Sequence, residues 1–155
     1  MTPATKLLKK HKIAFTVHEY THDKSSASYG LEAAEKMGVS CELVFKTLVV
    51  ELEGGELIVA ILPVADKLNM KLIAKSFSAK KAKMADKEEV LRSTGYVMGG
   101  VSPLGQKKRL KTIIHDSAFV VDQIFISAGK RGLEVALNPF DLQKILIAKR
   151  DHICS

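Results

Sequence analysis

Apolar and polar positions along this chain alternate between a helical period and a strand period, with turn residues at most of the changeovers. Thr2-Pro3 opens a first helix, Thr as N-cap and Pro at the first helical position, and Leu7 with Leu8 gives it an apolar stripe ending near Lys12. Residues Ala14 to Tyr20 read as a short strand. The polar run Thr21 to Ser28 is a loop into a helix around Leu31 to Met37, with Gly38 as its C′ residue. Val44 to Leu52 and Leu57 to Val64 flank the turn Glu53-Gly54-Gly55-Glu56, the clearest hairpin in the sequence. Asn69 caps a helix through about Phe77, Asp86 another through about Arg92, and an extended piece lies between them near Ala82 to Met84. Leu110 to His115, Gln123 to Ala128 and Leu133 to Leu137 read as strands, the last two joined by Gly129-Lys-Arg-Gly132, and Asn138-Pro139 opens a final helix. Helices interleaved with hairpins, without regular βαβ alternation, predict a single α+β domain over residues 1–155 with a mixed sheet.

Composition narrows the function classes. With 155 residues, 46% hydrophobic and 26% charged, the chain can bury a sizeable core. No apolar run approaches the roughly 18 residues of a bilayer span, and Met1-Thr-Pro-Ala-Thr has no signal-peptide pattern, so a cytoplasmic protein without membrane contact is expected. Cys41 and Cys154 match no disulfide, CxxC or zinc-ligand spacing, so neither a structural metal nor a cofactor is expected. The net charge of +7 and pI near 9.4 point to a polyanionic partner. Aromatic residues make up only 6%, with no Trp, which favours phosphate contacts over stacking on a row of rings.

Ser93 to Gly105 joins a glycine-rich bend to the basic block at Lys107, Lys108, Arg109 and Lys111. Such a bend can turn backbone N–H groups toward an anionic or carbonyl ligand, or can simply be a surface turn followed by a solvated strand. It is neither a P-loop nor a nucleophile elbow. Gln106 precedes the lysine, no Ser or Thr follows it, and Pro103 after Ser102 has no N–H for an oxyanion hole. Ser102 is therefore a hydrogen-bonding candidate rather than a nucleophile. Lys46 stands on the strand face of Val44, Leu48 and Val50, where an ammonium must snorkel, find a carboxylate, or line a cleft that receives negative charge. Histidines 11, 18, 22, 115 and 152 form no ligand set by spacing, and no Cys-His pair is locally supported. Without a strong nucleophile, any hydrolytic activity has to come from positioning and from backbone donors.

Phe45-Lys-Thr-Leu48, Met84-Ala-Asp86, Ser93-Thr-Gly-Tyr96, the run Gly99-Gly-Val-Ser-Pro-Leu-Gly-Gln-Lys-Lys-Arg109 and Gly129-Lys-Arg-Gly-Leu133 occur in one order over nearly the whole chain. Together they resemble the YbaK/EbsC family, and within it the Cys-tRNA(Pro) deacylases, which are similar to the editing domain of bacterial prolyl-tRNA synthetases. The resemblance implies an α+β fold around a mixed, barrel-like sheet with flanking helices. It also implies removal of a wrong amino acid from tRNA(Pro), because a proline-sized pocket cannot strongly reject cysteine or alanine. Lys46, Gly99 and Gly100 would be the catalytic positions, with the two glycines offering N–H groups to the ester carbonyl. Tyr20, Ser102, Ser127, Gly129, Lys130, Arg131 and Glu134 would contact substrate, and Lys107, Lys108 and Arg109 the tRNA. The mischarged acceptor end of tRNA(Pro), and prolyl-tRNA synthetase, are the partners the resemblance suggests. An Ala-tRNA(Pro) deacylase and a non-catalytic tRNA- or synthetase-binding module are the alternatives. Two positions depart from the family pattern: Glu134 stands where cysteine-specific relatives have Asp, and Ser127-Ala128-Gly129 where Ser-Gly-Gly is usual.

Overall fold

The computed structural model describes residues 1–26 and 28–155, so the predicted loop Thr21 to Ser28 includes one position, residue 27, outside the described residues. The elements in chain order are α1 (Pro3–Lys10), β1 (Phe15–Glu19), α2 (Tyr29–Met37), β2 (Phe45–Leu52), β3 (Leu57–Pro63), α3 (Met70–Ser76), β4 (Ala82–Met84) and α4 (Lys87–Thr94). After the glycine-rich segment come β5 (Lys111–His115), a 3-10 turn (Asp116–Val120), β6 (Ile124–Lys130), β7 (Leu133–Leu137), α5 (Pro139–Leu146) and β8 (Lys149–Asp151).

The caps act as the sequence predicts. Thr2 and Thr5 form a reciprocal capping pair ahead of Pro3, and the side chains of Asn69, Asp86 and Asn138 each accept N–H groups of the turn they open. β8 and the 3-10 turn carry no such sequence signal: Lys149, Arg150 and Asp151 are all exposed, so no apolar alternation marks them as a strand.

The strands form two open sheets. One has the order β1-β7-β6; the other is mixed, with the order β4-β2-β3-β5-β8, where β3-β5 and β5-β8 are parallel. Among the described residues a single bridge, between Val44 and Phe125, links them. The barrel-like sheet implied by the resemblance is thus corrected to two sheets that do not close. Val44, just ahead of β2, bridges to β6 without a continuing ladder, and β4 covers the outer edge of β2 only from Val50 onward, so a gap stays open beside Phe45 to Val49.

Packing fixes the walls of that gap. Phe45, Val59, Ile61, Ile114, Ile126, Val135 and Leu142 share a core that α1 seals with Leu8. The other face of β2 and β3 packs Val50, Leu52, Ile58, Ala60 and Leu62 against Ile73 of α3 and Ile153. Leu8, Ile61 and Leu62 are fully buried, each contributing about 1.5–3 kcal/mol relative to exposure. No helix among the described residues is long and apolar enough to cross a membrane.

Candidate active site

The gap between the sheets is a cavity of about 340 Å³. Its walls include Tyr20, Tyr29 of α2, Lys46 and Thr47 of β2, Gly99, and Ser127 and Glu134 of the second sheet. Four residues placed here by the resemblance, Lys46, Tyr20, Ser127 and Glu134, therefore do meet Gly99 around one hollow, from five separate chain segments. Tyr29 and Thr47 join them; nothing in the sequence marks Tyr29, and Thr47 carries only the motif around Lys46.

Lys46 is half-buried, and its ammonium neither snorkels into water nor pairs with a carboxylate side chain. Nζ donates to the backbone carbonyl of Asp66 at 2.8 Å and to that of Val64 at 3.4 Å. Burial lowers its pKa, and the nearby Cys154 and Asp66 partly oppose that. An ammonium held by two neutral acceptors keeps its positive charge available to an anionic group entering the cavity.

The glycine loop is less exposed than its composition suggests. Met98, Gly99 and Val101 reach the cavity wall, while Ser102 and Leu104 have no exposed area. Arg131 Nη2 donates to Met98 O at 2.6 Å and its guanidinium lies 4.4 Å from the Tyr29 ring centroid, so the Met98-Gly99 peptide is held by its carbonyl. In a trans peptide the following N–H points the opposite way, and the Gly99 N–H has no hydrogen-bond partner among the described residues. Gly99 sits at φ +86, and a Cβ there would lie 2.5 Å from Arg131 Nε and 2.9 Å from the Tyr29 ring. Only glycine fits.

Several expected contacts are corrected. The Gly100 N–H donates to Val97 O at 2.9 Å, so it is committed to the turn and is not offered to a ligand. Gly100 is glycine for packing: a Cβ would approach Lys130 Cα to 2.9 Å. Ser102 Oγ accepts the Leu104 N–H inside the loop and does not line the cavity. Gly129 packs on Tyr96, where a Cβ would lie 2.6 Å from the ring, and its φ of +110 lets β6 bulge between Ser127 and Lys130. Lys130 is exposed outside the cavity, and Arg131 acts on the loop rather than in the hollow. Ala128, placed where relatives have glycine, is fully buried and takes no positive φ, so the departure is absorbed by the strand.

The carboxyl of Glu134 is the strongest electrostatic feature of the cavity. It is 6% exposed, has no ion-pair partner among the described residues, and burial pushes its pKa from 4.5 to about 8. Tyr20, beside it, is pushed up to about 12, first by burial and then by that carboxyl. The neutral acid is the favoured form at pH 7.

Histidines that sequence spacing kept apart do meet elsewhere: His115 Nε2 is 3.3 Å and His152 Nδ1 3.7 Å from Asp116 Oδ1, and His115 also lies near Asp66 and Cys154. Yet His115 Nδ1 accepts the Ile153 N–H at 3.1 Å, which places the proton of the neutral ring on Nε2 and withdraws both nitrogens from metal ligation. The Cys154 thiol is pushed up to about 11, first by burial and then by Asp66, so it is no thiolate at neutral pH. Lys108 and Arg109 line a second, larger concavity of about 880 Å³ together with Lys12 and Lys144, while exposed Lys107 lies against Gly95.

The family of aminoacyl-tRNA editing domains matches residues 25–145, and the chain belongs to it. It is 33% identical over 138 residues to EbsC of Enterococcus faecalis, named as a candidate Cys-tRNA(Pro)/Cys-tRNA(Cys) deacylase, covering 89% of this chain and 84% of that protein. Bacillus subtilis YwhH is 28% identical over 85% of this chain and 83% of its own length. A crystal structure of a candidate trans-editing enzyme for prolyl-tRNA synthetase superposes with a TM-score of 0.85 at 20% identity, over 99% of this chain and 95% of that one, and APE2540 with 0.88 at 19%, over 99% of each. These two share the fold.

Proposed function

We propose that the whole chain, residues 1–155, is a trans-editing deacylase that removes cysteine from mischarged tRNA(Pro) by cleaving the aminoacyl ester. One observation carries this reading: Lys46 and the unpaired Gly99 amide share a cavity whose lining contains no His and no Cys, hence no Ser-His or Cys-His nucleophile. The substrate then has to bring its own nucleophile. The cysteinyl sulfur attacks the ester carbonyl, its proton passes to the leaving ribose oxygen, and tRNA and a cyclic thioester are released.

In this division of labour the Gly99 N–H donates to the developing oxyanion, and Lys46 offsets the negative charge of the terminal nucleotide. Neutral Glu134, with Tyr20 and Ser127, bounds the amino-acid end. Being one methylene longer than the Asp of cysteine-specific relatives, Glu134 takes up space and tightens selection by size. In this reading Lys108 and Arg109, together with Lys12 and Lys144, contact acceptor-stem phosphates, and prolyl-tRNA synthetase supplies tRNA selection as a partner. Neither metal nor cofactor enters the reaction.

The test is an ester-loss assay on Cys-tRNA(Pro), Ala-tRNA(Pro) and Pro-tRNA(Pro). Selective loss of the cysteinyl ester is expected. Selective loss of the alanyl ester would make this an alanine-directed deacylase, and no loss of any ester would leave a binding module.

A further inference from the structure

The two carbonyls that hold Lys46 belong to the link between β3 and α3, residues 64–69, which is part of neither element. The same link is bonded by residues 153–155. Asn69 N–H donates to Ile153 O at 2.8 Å, Ser155 N–H donates to Lys67 O at 3.0 Å, and Leu68 bridges to Cys154. Lys67 follows Asp66 directly, and the peptide between them is rigid, so a displacement of residues 153–155 is passed on to the carbonyl that holds the ammonium.

Residues 153–155 take their own position from two sources. The Ile153 side chain is fully buried in the core of β2, β3 and α3, and its backbone N–H donates to His115 Nδ1 at 3.1 Å. His115, at the end of β5, is only 5% exposed, so water does not stand in for that acceptor. A buried N–H without a partner is costly, and the chain moves to avoid it. Hydrogen bonds thus run without a gap from the His115 ring through Ile153 and residues 66–69 to Lys46.

We infer that His115 is a positioning residue for Lys46, acting through Ile153 and the backbone of residues 66–69. Its part in deacylation rests on the editing reading, which gives Lys46 a role there; the chain of bonds does not. The hold works only while Nδ1 is bare, because a proton there turns the acceptor into a donor that faces the Ile153 N–H. Burial keeps the His115 pKa below its ordinary 6.5, against the pull of Asp116 at 3.3 Å and of Asp66, and with the help of His152, whose ring centroid is 4.9 Å away. Of the other groups around the ring, Cys154 stays a thiol, and Asp151, its partner in the β5-β8 pairing, turns its carboxylate to Ser76 at 2.9 Å. The ring is neutral at pH 7 and the hold intact; acid releases Ile153 and lets Lys46 shift.

The experiment follows the Lys46 Cε–H and His115 Cε1–H signals of the isotope-labelled full chain by NMR from about pH 7.5 down to about pH 5. It compares the wild type with His115→Asn, whose side-chain oxygen can replace Nδ1 as acceptor but does not titrate. In the wild type both signals should move with one midpoint below 6.5, and in His115→Asn the Lys46 signal should stay in place. Cys-tRNA(Pro) deacylation over the same range should show an acid decline at that midpoint in the wild type and none there in His115→Asn, which keeps its rate at neutral pH within about threefold. His115→Ala should lower kcat/KM about tenfold or more even at neutral pH, the scale of a small misplacement of a site group. A Lys46 signal indifferent to pH, or one that moves equally in His115→Asn, would overturn the inference. Ester loss with the same acid decline in both proteins would also take His115 out of the reaction. Ester loss from no aminoacyl-tRNA would sink the editing reading, and the NMR titration would still decide whether His115 holds Lys46.

Discussion

Arg131 holds Met98 by its carbonyl oxygen at 2.6 Å, and this contact decides which way the next amide points. Its guanidinium is steadied by the Tyr29 ring, so a residue expected to touch substrate instead aims the Gly99 N–H from outside the hollow. Removing that grip should cost transition-state stabilisation more than substrate binding. Arg131→Ala is expected to lower kcat for deacylation by about tenfold or more with KM nearly unchanged, and Arg131→Lys to recover only part, because a single ammonium cannot both bond Met98 and lie flat on Tyr29. Steady-state kinetics on the aminoacyl-tRNA, with hydrogen exchange at the Gly99 amide, check it; equal losses in kcat and folding stability would indicate a merely structural role.

Gly99→Ala should be more damaging. The added methyl meets Arg131 and Tyr29 at a positive φ, so the loop has to shift away from the cavity. We expect deacylation to fall by about 100-fold or more, the scale of losing an oxyanion donor, together with a lower melting temperature from the strained alanine.

Lys46→Ala should abolish deacylation while the protein stays folded. The carbonyls of Val64 and Asp66 lose their donor, at a cost of about 1–3 kcal/mol visible in chemical denaturation. Turnover unchanged from wild type would refute the assignment of Lys46.

The raised pKa of Glu134 has a definite sign in stability. Between 4.5, its unfolded value, and about 8, the folded protein binds more protons than the unfolded chain, so stability falls as pH rises through that window and levels off above it. The effect is at most about 5 kcal/mol. Glu134→Gln should flatten the pH dependence of unfolding free energy between pH 5 and 8, and a slope equal to that of the wild type would contradict the burial argument.

Charge on the second concavity is tested through salt. Lys108→Gln and Arg109→Gln should each weaken tRNA binding and reduce the slope of log affinity against log salt by about 1, while sparing cleavage of a short aminoacyl-CCA substrate. Equal loss on the short substrate would place those side chains in the chemistry instead.

Local chemistry made most of the elements legible. Asn69, Asp86, Asn138 and Thr2-Pro3 announce helix starts whatever surrounds them, and the two-residue period of Val44 to Val64 with its glycine turn can form little but a hairpin. Those signals act within a few residues, so a single sequence carries them, and the ordered motifs around Lys46 and Gly99 carried the family. Long-range placement was another matter. That the sheets stay open rather than close, and that Arg131 reaches back 33 residues to Met98, depend on segments far apart in sequence. Even the face occupied by Lys46 was readable from alternation, whereas its two carbonyl partners, 18 and 20 positions downstream, were not. Periodicity tells which side of a strand a group leaves from; only the packed chain determines what waits there, because hydrogen bonds and burial between distant segments exist only once those segments meet.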